Sequence, residues 1–163
     1  MGMSIAEARS SIFVGVPGSH TGGTDAGSLL RVDKGSTPSI VGEYFSPAYT
    51  SARLGTIVKG SKDWVACVMP AAQQAGTGIG KIRMYRMHRN RIHPICEIYA
   101  HAIDPPLGQA IAINHQYVIT SGIYAEDEYP QSGHVWIFEL NDLESPITIT
   151  LQPCSSRFWS LKL

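Results

Sequence analysis

The most suggestive chemical feature of the sequence is the glycine-rich stretch Gly76-Thr-Gly-Ile-Gly-Lys81, which has the composition of a phosphate-binding loop. Such a loop needs four residues between its first glycine and a Gly-Lys pair, followed by serine or threonine. Here Ile82 follows Lys81, and the residues after it have the pattern of a strand, so no helix N-terminus is expected to bind phosphate. We interpret the stretch as a turn that leads into a strand.

The histidines and cysteines do not have the spacing of a metal centre or of an activated nucleophile. None of the six histidines forms an H-x-x-x-H or H-E-x-x-H pattern, and the three cysteines include no C-x-x-C pair. Cys67 and Cys96 fall in predicted strands, where cysteine behaves as a small buried hydrophobe. No G-x-S-x-G elbow is present. We therefore predict a protein that is not an enzyme, with no catalytic residues, no metal ligands and no cofactor.

The composition favours an all-β protein. Among 163 residues there are 16 Gly and 10 Pro, with 44% hydrophobic and 16% charged residues, which is typical of short strands joined by many turns. Lys+Arg and Asp+Glu number 13 each, so no net charge attracts nucleic acid or an anionic membrane. No apolar run approaches the roughly 18 residues of a membrane span. No signal-peptide pattern opens the chain, and the compartment stays undetermined.

Three similar segments, each led by glycine, recur at a spacing of 53 residues and begin at Gly27, Gly80 and Gly133. A large apolar residue followed by glycine recurs at the same spacing. A repeat near 50 residues with four short strands is typical of the blade of a β-propeller. We predict one all-β repeat domain over 1–163, made of three four-stranded antiparallel blades at 1–53, 54–106 and 107–159.

Three blades are too few to close a ring, since propellers have about 4–8. We expect the ring to be completed by oligomerisation, two copies giving six blades, or by further blades that this chain does not contain. Residues 158–163 have the pattern of another first strand. They form a candidate closing strand, for this chain or for a neighbouring one.

These motifs resemble the FG-GAP repeat, which builds the β-propeller of integrin α subunits. The Phe-Gly position is occupied by Met1-Gly2, Leu54-Gly55 and Leu107-Gly108, and the Gly-Ala-Pro position is matched best by Gly15-Val-Pro17. The resemblance implies a propeller fold and a role in binding protein. It also implies a cell-surface or secreted location for a longer chain, and a cytoplasmic one otherwise.

The chain departs from the FG-GAP pattern at the calcium loop, D-x-[DN]-x-D, that many of these repeats carry between their first and second strands. The corresponding connections here lie at 7–10, 60–63 and 114–116. None contains the closely spaced oxygen ligands that calcium requires. We predict no calcium in these loops.

The connections between second and third strands are the longest in each repeat and differ most among the copies. By resemblance, they form the ligand face together with the loops that join one blade to the next. The residues that they would contribute are His20, Asp25, Tyr49, Gln73, Gln74, Asp104, Tyr124, Glu126, Asp127 and Tyr129.

The leading hypothesis for function is a non-catalytic interaction or scaffold module that binds a protein partner or assembles with itself through its blades. The second repeat has seven basic residues against three acidic ones, and the third has one against six, so the two charges could match across an interface. One alternative is a carbohydrate-binding propeller, since Tyr124, Glu126, Asp127 and Tyr129 combine aromatic rings with carboxylates. Another is a structural fragment of a larger assembly. Nucleic acid is a minor alternative.

Overall fold

The structure is a computed structural model of the chain, and it describes residues 3–45, 50–72, 77–101, 107–125, 132–152 and 160–162. Within these ranges the helices and strands of the fold are all β-strands, and no helix is present. No helix in the described part of the chain has the length and apolar character needed to cross a membrane.

The strands form three sheets, and all strand pairs within them are antiparallel. The first sheet contains β1 (Ser4–Ala8), β2 (Ser11–Val16), β3 (Ser28–Asp33) and β4 (Ser39–Phe45). The second contains β5 (Val58–Ser61), β6 (Trp64–Met69), β7 (Thr77–His88) and β8 (Arg91–His101). The third contains β9 (Ala110–Ile113), β10 (Tyr117–Ala125), β11 (Ser132–Glu139), β12 (Asp142–Gln152) and β13 (Ser160–Lys162).

The all-β prediction, with one antiparallel sheet for each set of four consecutive strands, is confirmed. β13 adds a fifth strand to the third sheet by pairing with β12, so this part of the predicted closing strand lies against its own chain. Among the described residues no sheet closes on itself. The structure is compatible with propeller blades, and the ring and the blade boundaries stay predictions.

The register of the first three strands is the same in every sheet. The central residue of the second strand pairs with one residue on each neighbouring strand, and all three positions shift by 53 from sheet to sheet. These sets are Ala6–Phe13–Arg31, Lys59–Ala66–Met84 and Ala112–Ile119–Ile137. Residues 53 apart along these strands therefore occupy the same position and the same face of consecutive sheets.

The sheets stack, and the hydrophobic core lies in two layers between them. The first layer joins the first and second sheets, and includes Phe13 and Leu29 from one side and Val65 and Tyr85 from the other. We call this contact the first joint. The second joint, between the second and third sheets, is more aromatic, and its buried members are Trp64, Ala66, Val68, Ile82, Met84, Ile98, Leu107, Ile111, Val118, Trp136, Phe138 and Leu140.

In the first two sheets, backbone conformation and close packing explain why a glycine leads the repeated segment. Gly27 and Gly80 have positive φ angles of 78° and 90°, which residues with a side chain rarely adopt. A Cβ at Gly27 would lie 2.3 Å from the backbone nitrogen of Leu54, and one at Gly80 would lie 2.4 Å from the carbonyl oxygen of Leu107. The glycine therefore makes room for the backbone that starts the next repeat.

Polar contacts reinforce the first joint. The buried Arg31 side chain donates from Nη1 to the carbonyl oxygen of Asn90 in the second sheet, at 2.5 Å. The same guanidinium donates from Nε to Ser11 Oγ at 3.0 Å. Arg9 forms an ion pair with Asp63. These contacts fix the first sheet on the second in one orientation, because charge-assisted hydrogen bonds depend on geometry.

Candidate interaction site

The two outermost sheet faces are the candidate site, and strand alternation defines them. Successive side chains in a strand point to opposite faces of the sheet. Phe13 and Leu29 pack into the first joint, so their neighbours lie on the outer side of the first sheet. This rear face comprises the apolar residues Ile5, Ile12, Val14, Val16, Leu30 and Val32, and the same register places Glu7, Ser28 and Glu43 on it. By the same reasoning, the front face of the third sheet comprises Ala110, Ala112, Ile119, Ser121, Val135 and Ile137.

The rear face is an apolar surface over three adjacent strands. Ile5 pairs with Val14, which pairs with Leu30, so three aliphatic side chains cross the sheet in one row. Ile12, Val14, Val16, Leu30 and Val32 are all partly exposed. Ile40 extends the surface onto β4, where it pairs with Val32. Large contiguous apolar surfaces are uncommon on monomeric proteins, which makes the rear face a candidate site for contact with another molecule.

The front face is also apolar and contains a depression of about 220 Å³. The small side chains of Ala110, Ala112 and Ser121 form the depression beside the larger Ile119 and Val135. Thr120 contributes little polarity, because its hydroxyl donates to the carbonyl oxygen of Ala110 at 3.0 Å. The depression therefore offers a concave shape and apolar contact to an apolar group.

The positions equivalent to Ile5 in the other two sheets are buried. Val58 and Ile111 stand 53 and 106 residues after Ile5 and occupy its position in the second and third sheets. Both are covered within a joint, with exposures of 0% and 8%. Ile5 is 70% exposed. The position is therefore an interface position in each sheet that has a preceding neighbour.

On the front face, too, a position that is buried in both joints is exposed in the end sheet. Phe13, Ala66 and Ile119 occupy one position, again at 53-residue spacing. Phe13 and Ala66 are fully buried in the first and second joints, whereas Ile119 is 37% exposed. Each joint is thus formed by the front side of one sheet and the rear side of the next. Within the part of the chain that the structure describes, one face of each kind stays uncovered: the rear face of the first sheet and the front face of the third.

Only two of the ten residues predicted for the loop site are described with their side chains. His20 and Asp25 lie in the exposed loop between β2 and β3, with His20 Nε2 and Asp25 Oδ1 3.7 Å apart. Tyr124 lies in β10. Tyr49, Gln73, Gln74, Asp104, Glu126, Asp127 and Tyr129 lie outside the described residues. The predicted loop site is not tested by the structure and stays a prediction.

The β2–β3 loop is held against its own sheet by hydroxyl groups. Ser19 Oγ donates to Glu43 Oε1 at 3.1 Å, and Thr21 Oγ1 donates to the same oxygen at 3.0 Å. The backbone N–H of Asp25 donates to His20 Nδ1 at 3.4 Å. These bonds shape the loop without bringing its polar groups to one ligand position.

Two groups that the sequence offers for chemistry, the glycine-rich stretch from Thr77 onward and Cys67, lie in strands. Thr77 to Lys81 lie within β7, where Thr77 pairs with His101 and Lys81 with Tyr99, so the interpretation of these residues as a turn is wrong, whereas the strand predicted after Lys81 is confirmed. Cys67 is buried in the first joint, and this burial raises the pKa of its thiol to about 12. It is therefore a thiol, not a reactive thiolate, at neutral pH. No group of three or more potential metal ligands occurs among the described residues.

The fold and the site define an all-β protein of stacked antiparallel sheets with an apolar surface at each end. No model of a known protein family matches the chain, and no curated protein sequence gives a significant match. The resemblance to FG-GAP repeats is compatible with the three antiparallel sheets and has no support from a family match.

Sequence reasoning did not identify the end faces, although one signal was present. In β2 the run Ile12-Phe13-Val14 is apolar at both alternating sets of positions. Such a strand is expected to be covered on both faces. Described residues cover only one face of this strand, the one in the first joint, so the other face is exposed as a candidate site.

Proposed function

We propose that this protein is a non-catalytic interaction or scaffold module, built like FG-GAP propeller blades, that binds protein through its front and rear faces. The observation that supports this most is the exposure of Ile5 and Ile119, whose equivalents are buried in both joints. Covering an apolar surface is worth about 25 cal/mol per Å². A partner that presents a matching sheet face would therefore bind with substantial free energy.

A carbohydrate-binding role and a purely structural role have no comparable observation in their favour. The aromatic and acidic residues that suggested a glycan site lie, apart from the β10 residue Tyr124, outside the described ranges. The end faces are aliphatic, whereas sugar sites need polar groups and aromatic rings beside each other. Protein binding is the function that the described side chains support.

Site-specific photo-crosslinking in cells tests the proposal. A benzophenone amino acid would replace Ile119 on the front face or Ile5 on the rear face. Ile95 provides a matched control, because it is an exposed isoleucine of β8, at 50%, in the sheet whose two faces are covered. We expect a defined crosslinked protein from each end face, with the linked peptide in an apolar strand, and none from the control.

A crosslink to a second copy of the chain and a crosslink to a different protein would both support the proposed function. Crosslinking that is absent from both end faces, or that yields the same products from Ile95, would contradict it. Mass spectrometry of the linked peptides distinguishes these outcomes.

A further inference from the structure

We propose that the partner of each end face is a second copy of this chain, joined head to tail. The front face of each copy packs on the rear face of the other, and the two copies form a closed ring of six sheets. The inference rests on the proposed function and identifies the partner that it leaves open.

The two internal joints supply the first reason. Each joins the front side of one sheet to the rear side of the next, with residues at equivalent positions. The two faces left over are one front face and one rear face. A second copy therefore offers the same kind of contact that the chain already makes twice within itself.

The residues on the two free faces are suited to that contact. On the rear side, Ile5 stands where Val58 and Ile111 enter the joints, so a branched aliphatic side chain occupies the position each time. On the front side, Ile119 stands where Phe13 and Ala66 are buried. Neither of these two positions carries a charge, so desolvation costs little there, although Glu7 on the rear face stands where Gly60 and Ile113 stand in the other two sheets.

The number of copies follows from the number of sheets. A head-to-tail contact gives either a closed ring or an open filament, depending on whether the rotation closes. Rings of four-stranded blades contain about 4–8 members. The described residues of one copy supply three sheets, which is below this range, and three such copies would exceed it. Two copies give six sheets and the two-fold symmetry that is commonest among homo-oligomers.

Sedimentation equilibrium of the purified chain and two charge variants tests the inference. The unmodified chain should have twice the mass of 17.7 kDa. Ile119→Asp on the front face and Ile5→Asp on the rear face should each weaken association roughly 100-fold or more, because each places a carboxylate in the joint. Ile95→Asp makes the same substitution away from both faces and should leave the pair intact. Ile119→Val should do so as well.

Mixing the two charge variants gives the sharpest result. The Ile5→Asp copy keeps its front face and the Ile119→Asp copy keeps its rear face, so the mixture can form one intact joint. We expect pairs to reappear in the mixture although neither variant forms them alone. Far-UV circular dichroism of each variant must retain the β signal, so that loss of association is not loss of folding.

Other results would overturn the inference. A symmetric contact of front on front, or of rear on rear, would be broken by only one variant and would not be rescued by mixing. Filaments or masses above two copies would exclude the closed pair. A monomer whose end faces crosslink to a different protein would overturn the inference and leave the proposed function intact. A monomer without crosslinks at either face would overturn both.

Discussion

The middle sheet and the two end sheets have nearly the same strands in the same register, yet they differ in how much of each strand is covered. All six residues of β6 are buried, whereas in β2 buried and partly exposed residues alternate. β10 also alternates over its described side chains. The difference does not arise within the strands, because β2 and β10 are also apolar on both sides. It arises because, among the described residues, only the middle sheet has a neighbouring sheet on each side.

This contrast shows that a position of the repeat has no fixed contribution to stability. The same position contributes fully where a neighbouring sheet covers it and little where it faces solvent. Substitutions at equivalent positions should therefore have unequal effects, and the inequality measures which faces are covered.

The largest expected difference is between Phe13 and Ile119, which occupy the same position. Phe13→Ala should lower the free energy of unfolding by about 3–5 kcal/mol, because it opens a cavity in the first joint. Ile119→Ala should lower it by about 1 kcal/mol or less in the dissociated chain, as is usual for a partly exposed residue. Urea unfolding at a protein concentration low enough to keep the chain dissociated measures both values.

Equal effects of these two substitutions would mean that the front face is covered in the isolated chain. Repeating the measurement at high concentration provides the control. The cost of Ile119→Ala should then increase, since association buries the residue and adds to stability by mass action.

The next difference is between Gly80 and Gly133. Gly80→Ala should cost about 1–3 kcal/mol, since the new Cβ meets the Leu107 backbone and the φ of 90° is unfavourable for alanine. Gly133→Ala should cost less than about 1 kcal/mol in the dissociated chain, where its nearest described neighbour would lie 3.3 Å away. Thermal unfolding of both variants checks this. A larger cost at Gly133 than at Gly80 would contradict it.

The smallest expected effect concerns the Arg9–Asp63 ion pair of the first joint. The hydrogen bond from Arg9, together with its charge, lowers the pKa of Asp63 below the ordinary value of 3.8. A lowered pKa in the folded state stabilises the protein above 3.8, and this contribution is lost as the pH falls through the folded-state pKa. Asp63→Asn should therefore reduce stability at pH 7 and converge with the unmodified protein in acid.

Urea unfolding of both proteins between pH 7 and about pH 2 measures this convergence. Arg9→Gln should reproduce it, since it removes the other half of the pair. A difference that stays constant across the pH range would show that Asp63 stabilises the joint by packing and not by charge.

Much of the fold could be predicted from the sequence, because the relevant signals are local or periodic. Turn residues and short apolar runs indicated strands, and the 53-residue spacing of the glycine-led segments indicated three similar sheets. The pairing of β13 with β12 could not be predicted in the same way. A short strand of this pattern can pair with any available edge, and the choice depends on contacts distant in sequence.

The candidate site, like the fold, could be predicted from the sequence only in part. The sequence by itself determined that the strands near Phe13, Ala66 and Ile119 are apolar, since a hydrophobic side chain is recognisable wherever it lies. Only the tertiary structure decided that the first two are covered and that Ile119 and Ile5 are exposed. The physical reason is that the burial of a side chain depends on which sheets stack together and not on the sequence of its own strand. A sheet face is covered only when another sheet packs on it, and that depends on its place in the order of sheets.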